Sequence, residues 1–152
     1  MINNLNIILP EIFLALSIFS ILMIGVFVKD SYNLVLKLSL LILSITFIIL
    51  ANSEIINSKA FSDSFVQDSL SRYIKILITI GSIFVLVSSQ SFIKENNLDK
   101  FEYPIIILLA ILGMFFIISS NDLILFYLGL ELQSLSLYIL AAIDRDNIRS
   151  TE

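Results

Sequence analysis

Long apolar blocks separated by short polar segments dominate the pattern of this 152-residue chain. Five blocks approach or exceed the length of about 20 residues that an α-helix needs to cross a bilayer. The pattern therefore predicts five membrane-spanning helices, at residues 7–28, 32–51, 73–93, 103–120 and 123–143. Too little chain remains for a soluble domain, so residues 1–152 are expected to form a single transmembrane unit. The predicted fold class is an all-α polytopic transmembrane helix bundle.

Composition supports a membrane protein. Hydrophobic residues make up 58% of the chain and charged residues 14%, against about 45–50% and 25% in soluble domains. The chain contains no cysteine and no histidine, which excludes disulfides, thiol chemistry, an imidazole base and the usual zinc ligands, so no metal site is expected. The net charge of −4 without a basic cluster argues against a nucleic-acid partner. The expected surroundings are the lipid bilayer.

The distribution of basic residues predicts the orientation. Six of them lie in or beside the first loop, the third loop and the tail, whereas three lie in or just after the longest loop. Because Lys and Arg are retained on the cytoplasmic side of a membrane, we expect the N-terminus outside. The six are Lys29, Lys37, Lys94, Lys100, Arg145 and Arg149, and the three are Lys59, Arg72 and Lys75.

Local signals mark the ends of the last two helices. Pro104 suits the first turn of the fourth helix, where its missing N–H has no intrahelical partner. Asp122 can cap the fifth helix by accepting a bond from a free N–H group. The short break at Asn121 and Asp122 makes these two helices an antiparallel pair. The polar residues 53–71 are interpreted as a solvated loop.

Several charges lie near predicted helix ends. Lys37 and Lys75 are within about a turn or so of an end, so their long side chains are expected to snorkel to water. Glu11 follows Pro10 in a first helical turn, where a carboxylate interacts favourably with the helix N-terminus. We therefore expect Glu11 to act as an interfacial cap.

Glu131 differs because about two turns of apolar helix lie on either side of it. Tyr127, Ser134 and Tyr138 share its helical face by their spacing. Charged groups at such depth are costly and usually functional, so we predict a proton relay at Glu131 with these three residues as a supporting polar face. The lysines at the predicted helix ends lie at other depths, so a cation for Glu131 is expected from another segment. The alternative is a protonated Glu that only bonds a neighbouring helix.

A set of short motifs runs through the chain. It comprises LPEIF at 9–13, FEYP at 101–104, ND at 121–122, LELQSL at 130–135 and STE at 150–152. Together the motifs resemble subunit N of proton-pumping NADH:quinone oxidoreductase, respiratory complex I, whose mitochondrial counterpart is subunit 2. The resemblance covers the whole chain in order and is most specific from residue 101 onward.

The resemblance implies a fragment of an antiporter-like membrane-arm subunit, in a bacterial or mitochondrial inner membrane, that helps move protons without catalysis of its own. It implies no cofactor on this chain, with NADH, FMN, iron–sulfur clusters and quinone on other subunits. It also implies that Glu131 pairs with a lysine on a later helix. The implied partners are the remaining helices of the same subunit and the other membrane-arm subunits.

Two other functions stay open at this point. Related multisubunit cation/proton antiporters share the Glu of the fifth helix, but their sequence differs around residues 101–104. Alternatively, the chain is a structural or assembly piece whose Glu131 serves as an interhelical hydrogen bond.

Overall fold

A computed structural model describes residues 7–28, 31–53, 58–61, 63–95 and 100–143. These residues form five long helices and one short β-hairpin. The elements are α1 (Leu9–Phe27), α2 (Tyr32–Asn52), β1 (Ser58–Ala60), β2 (Phe65–Gln67), α3 (Ser69–Glu95), α4 (Glu102–Ser119) and α5 (Leu123–Ala141). Each helix is long and apolar enough to cross a membrane, which confirms the predicted helix-bundle class.

The predicted orientation is not decided by this structure. Lys29, Arg145 and Arg149, which contribute to the charge count, lie outside the described residues, as does the STE motif at 150–152. An N-terminus on the outside therefore stays a prediction.

Helix α4 lies at the centre of the bundle and contacts the four other helices. Most of its side chains are buried, because apolar residues cover all of its faces, as is typical of a helix surrounded by protein. Leu108 and Phe115 of α4 pack in the main core with Leu14 of α1 and Leu43 of α2. The other helices are thereby arranged around α4.

Helices α4 and α5 approach closely at two glycines. A Cβ atom on Gly113 would lie 2.8 Å from the backbone N of Gln133, and one on Gly129 would lie 2.9 Å from Cγ1 of Ile117. Small residues let the backbones of membrane helices come together. The predicted pairing of these two helices is therefore confirmed, and we call this contact the glycine seam.

A β-hairpin occupies part of the segment that was predicted to be a solvated loop. Its two strands are antiparallel, with Ala60 opposite Phe65. Phe65 also forms a β-bridge to Ser120 at the end of α4 and packs with Ile8 before α1. The loop prediction is wrong here because the hairpin buries one face against the helix ends. We call this end of the bundle the hairpin end.

Helix α3 begins at Ser69, four residues before its predicted start. Arg72 lies in this extra turn, and its guanidinium donates to the carbonyl oxygens of Leu50 (2.8 Å) and Ala51 (2.6 Å). Basic side chains at a helix C-terminus satisfy carbonyl groups that have no partner within the helix. Arg72 thus fixes the start of α3 against the end of α2.

The two local signals around the α4–α5 break are confirmed. Pro104 lies in the first turn of α4, which begins at Glu102. Asp122 is the N-cap of α5, and its carboxylate accepts from the backbone N–H of Ile124 at 3.5 Å.

Candidate functional site

Helix α5 positions Glu131 on the side that faces away from α4. The buried residues of α5 are Gly129 and Ser136, and α4 is its main contact. Glu131 itself is partly exposed. It lies eight residues after Leu123, the first residue of α5, which corresponds to about 12 Å along the helix axis. The carboxyl is therefore near the middle of a membrane-length helix.

The predicted supporting residues differ in their relation to the carboxyl. Tyr127 is 60% exposed, and it lies four residues before Glu131, which places the two side chains next to each other on one helical face. The hydroxyl of Ser134 instead donates to the backbone carbonyl oxygen of Glu131, at 3.1 Å. Tyr138 is 70% exposed and lies further along the helix. These four residues form what we call the polar face of α5, in which Tyr127 is the neighbour of the carboxylate.

Glu131 forms no ion pair within the part of the chain that the structure describes. The ion pairs found there join Lys59 to Asp63 and Lys75 to Glu11. An isolated carboxylate is costly to place in an apolar medium. A cation partner for Glu131 from outside these residues stays a prediction.

Glu11 and Lys75 form an ion pair inside the bundle, which the sequence interpretation missed. Lys75 Nζ lies 2.5 Å from Glu11 Oε1, and the two side chains are 0% and 1% exposed. The prediction of a snorkelling Lys75 is therefore wrong. Glu11 does lie in the first turn of α1, as predicted, but it is enclosed in the bundle and pairs with Lys75 instead of facing an interface. The hairpin and α4 cover the start of α3, so the ammonium group reaches a carboxylate rather than water. Lys37, by contrast, is exposed on α2.

Two aromatic rings also lie close to the Lys75 ammonium. Its Nζ lies 5.2 Å from the ring centroid of Phe65 in the hairpin and 5.8 Å from that of Phe115 in α4. Both distances are within the range of a cation–π interaction, which gains strength when the cation is desolvated. The ammonium is thus held by a carboxylate and two ring faces.

A polar pattern in α3 could have indicated this burial. Ser71, Lys75 and Thr79 are spaced by four residues and are all buried. Side chains at that spacing lie on one helical face. A polar stripe with a lysine at its centre, on one face of a membrane-length helix, predicts a buried partner better than it predicts snorkelling.

A metal site is not found among the described ranges, which contain no group of three or more His, Cys, Asp or Glu side chains that could hold an ion. A groove of about 320 Å³ lies between α3, α4 and α5, and its walls are almost entirely apolar. The candidate site residues in the described region are Glu131 and the Glu11–Lys75 pair.

Comparison with known proteins gives relatives that match the whole chain, although no protein-family model matches it. NADH-quinone oxidoreductase subunit N of Pelagibacter ubique (strain HTCC1062) is 48% identical over 99% of this chain and 32% of its own length. The subunit N of Bartonella bacilliformis is 45% identical over 99% of the chain and 31% of its length. NADH-quinone oxidoreductase subunit N 1 of Rhizobium meliloti is 40% identical over 100% of this chain and 32% of its own length. The chain spans about a third of the length of these relatives.

Proposed function

Because this chain is homologous over its whole length to part of NADH-quinone oxidoreductase subunit N, we propose that it belongs to the membrane arm of respiratory complex I. Its role there is to help translocate protons while electrons pass from NADH to quinone. It acts as a non-redox subunit in a bacterial inner membrane. NADH, FMN, iron–sulfur clusters and quinone are bound by other subunits of the assembly.

The observation that carries this proposal is the position of Glu131. Its carboxyl lies in the middle of α5, on a partly exposed face, with Tyr127 one helical turn away. Ionisable groups at such depth are expensive in a membrane, and they mark proton and ion paths. The names of the relatives favour the quinone oxidoreductase over the multisubunit antiporter alternative.

The proposed chemistry is the reversible protonation of the Glu131 carboxyl. Loss of hydration favours the neutral, protonated form of a carboxyl, whereas an approaching cation favours the carboxylate. In the proposed mechanism, a lysine from the remaining helices of the subunit moves relative to Glu131. The carboxyl then takes up a proton when the cation is distant and releases it when the cation is close, while Tyr127 orients the carboxyl through its hydroxyl.

The test is Glu131→Gln in the intact assembly. Glutamine keeps the size and the hydrogen-bonding capacity of the side chain but cannot carry the proton. A positioned acid–base group contributes about 10²–10⁴-fold to proton transfer, so we expect proton translocation driven by NADH oxidation to fall strongly. It is measured as acidification of membrane vesicles alongside the amount of assembled complex.

The matched control is Glu95→Gln, which removes an exposed carboxyl at the end of α3. This variant should translocate protons like the unsubstituted assembly. If Glu131→Gln also does so, the relay is refuted. If Glu131→Gln instead prevents assembly while Glu95→Gln does not, the structural alternative is supported.

A further inference from the structure

The hairpin end contains a buried polar cluster that the proposed role of Glu131 does not use. Its centre is the ion pair in which Lys75 Nζ donates to Glu11 Oε1. The second carboxylate oxygen, Glu11 Oε2, is buried and has no hydrogen-bond partner among the described residues. Buried polar atoms are nearly always hydrogen-bonded, and leaving one unpaired is costly. A partner for Glu11 Oε2 is therefore expected.

Two further oxygens without a partner point to the same region. Gln67 Oε1 in β2 and Ser119 Oγ in α4 are also buried and unpaired within the described part of the chain. Gln67 shares a strand face with Phe65, two residues earlier, and Ser119 shares a helix face with Phe115, four residues earlier. The rings of Phe65 and Phe115 both contact Lys75 Nζ. The two oxygens thus lie on elements and faces that surround the ammonium.

The Lys75 ammonium has unused N–H donors, and the unpaired oxygens need donors. An ammonium group has three N–H donors, and one of them is used by Glu11 Oε1. The two phenyl rings attract the charge but offer no lone pair to the remaining N–H groups. Internal waters typically make about three hydrogen bonds to polar groups of this kind. A water molecule would therefore connect the spare donors of Lys75 with the unpaired oxygens.

We propose that the Glu11–Lys75 pair is a hydrated proton-exchange site, in which internal water joins the ion pair to Ser119 Oγ and Gln67 Oε1. The proposal rests on the proton translocation proposed above but not on Glu131. One proton moves from Lys75 Nζ to Glu11 Oε1, which converts ammonium and carboxylate into amine and carboxylic acid without a change in net charge. Water then delivers a proton to Nζ while the carboxylic acid gives one up, so one proton enters as another leaves.

The other described charged groups at the hairpin end either have hydrogen-bond partners of their own or are exposed. Arg72 of α3 is bonded to the last carbonyls of α2. Lys59 and Asp63 pair with each other on the exposed side of the hairpin. Asp68 is exposed, and Asp122 is an exposed cap of α5. Of the described ionisable groups at the hairpin end, Glu11 and Lys75 are the pair that the bundle encloses.

The first test is the double variant Glu11→Met with Lys75→Met in the intact assembly. Replacing a buried ion pair by apolar residues of similar volume is often neutral or stabilising, so the assembly should form. We expect NADH oxidation to continue with a loss of part of the protons moved per NADH. An unchanged proton yield would overturn the proposal. The matched control removes the exposed pair, by Lys59→Gln with Asp63→Asn, and should leave the yield unchanged.

The second test needs no substitution. A high-resolution map of the unsubstituted assembly should show ordered water within hydrogen-bond distance of Glu11 Oε2 and of either Ser119 Oγ or Gln67 Oε1. A dry site, in which protein groups pair with these oxygens, would overturn the proposal. Neither result depends on Glu131→Gln, so a failure at the ion pair is distinguishable from a failure of the Glu131 relay.

Discussion

Glu11 and Glu131 are both carboxyls in membrane-length helices, but their surroundings are opposite. Glu11 lies near the start of α1, is 1% exposed and is bonded to Lys75 across the bundle. Glu131 lies in the middle of α5, is partly exposed and has a tyrosine rather than a cation beside it. Glu11 has its cation within the described residues, whereas Glu131 forms no ion pair among them.

This difference follows from how the helices pack. Helix α1 contacts both α2 and α4, and the hairpin covers the side of the bundle where Glu11 lies. Helix α5 rests mainly on α4, through the glycine seam. A residue at the start of α1 is therefore surrounded by neighbours, while most of the surface of α5 faces outward. The two residues are both glutamates, so their different surroundings result from how many neighbouring elements cover each helix.

The largest loss of stability is expected when one residue of the Glu11–Lys75 ion pair is replaced. Lys75→Met leaves Glu11 buried without its cation, and removing one partner of a buried pair costs about 3–5 kcal/mol. Thermal unfolding of the purified assembly should occur at a clearly lower temperature. Lys37→Met, at an exposed lysine of α2, is the control and should have little effect. Equal stability of the two variants would show that the pair does not hold the bundle together.

A smaller effect is expected at the glycine seam, which attaches the open helix to the bundle. Gly113→Ala would place Cβ 2.8 Å from the backbone N of Gln133, and such overpacking costs about 1–3 kcal/mol. Gly81→Ala is the matched control, because a Cβ there meets nothing within 4 Å. It should be neutral or gain up to about 1 kcal/mol from helix propensity. Thermal unfolding that ranks the two variants in the reverse order would contradict the close approach of α4 and α5.

The smallest effect is expected at the start of α5. Asp122→Ala removes the side chain that caps the helix, and the loss of a cap costs about 1 kcal/mol. Asp122→Asn keeps an oxygen acceptor and should retain most of the stability. Amide hydrogen exchange in the first turn of α5 measures the difference. Equal exchange in the two variants would show that the cap does not stabilise the helix that carries Glu131.

Much of the fold could be predicted because block length alone identifies a spanning helix. Asp122 and Pro104 indicate the starts of α5 and α4 because capping and the missing proline N–H act within one helical turn and do not depend on tertiary packing. The hairpin could not be recognised, since its strands have three residues each and therefore show almost no alternation. Its turn also places Phe61 and Asp63 at positive φ, a conformation for which Phe gives no sequence signal.

The two carboxyls were not equally predictable. Glu131 is a candidate because of its depth in an apolar block, which is a property of the local sequence, and its role stays a prediction. The pairing of Glu11 with Lys75 joins residues 64 positions apart, and it depends on how α1, α3 and the hairpin are arranged. Proximity to a helix end predicts snorkelling only where that end is left uncovered.

The most direct test of the central claim is the position of the Glu131 carboxyl in a high-resolution structure of the intact assembly. We predict a lysine ammonium from the rest of the subunit within about 4 Å, the usual limit for an ion pair, or joined to the carboxyl by a bound water. A Glu131 side chain surrounded by lipid, with neither a cation nor water in reach, would contradict the relay.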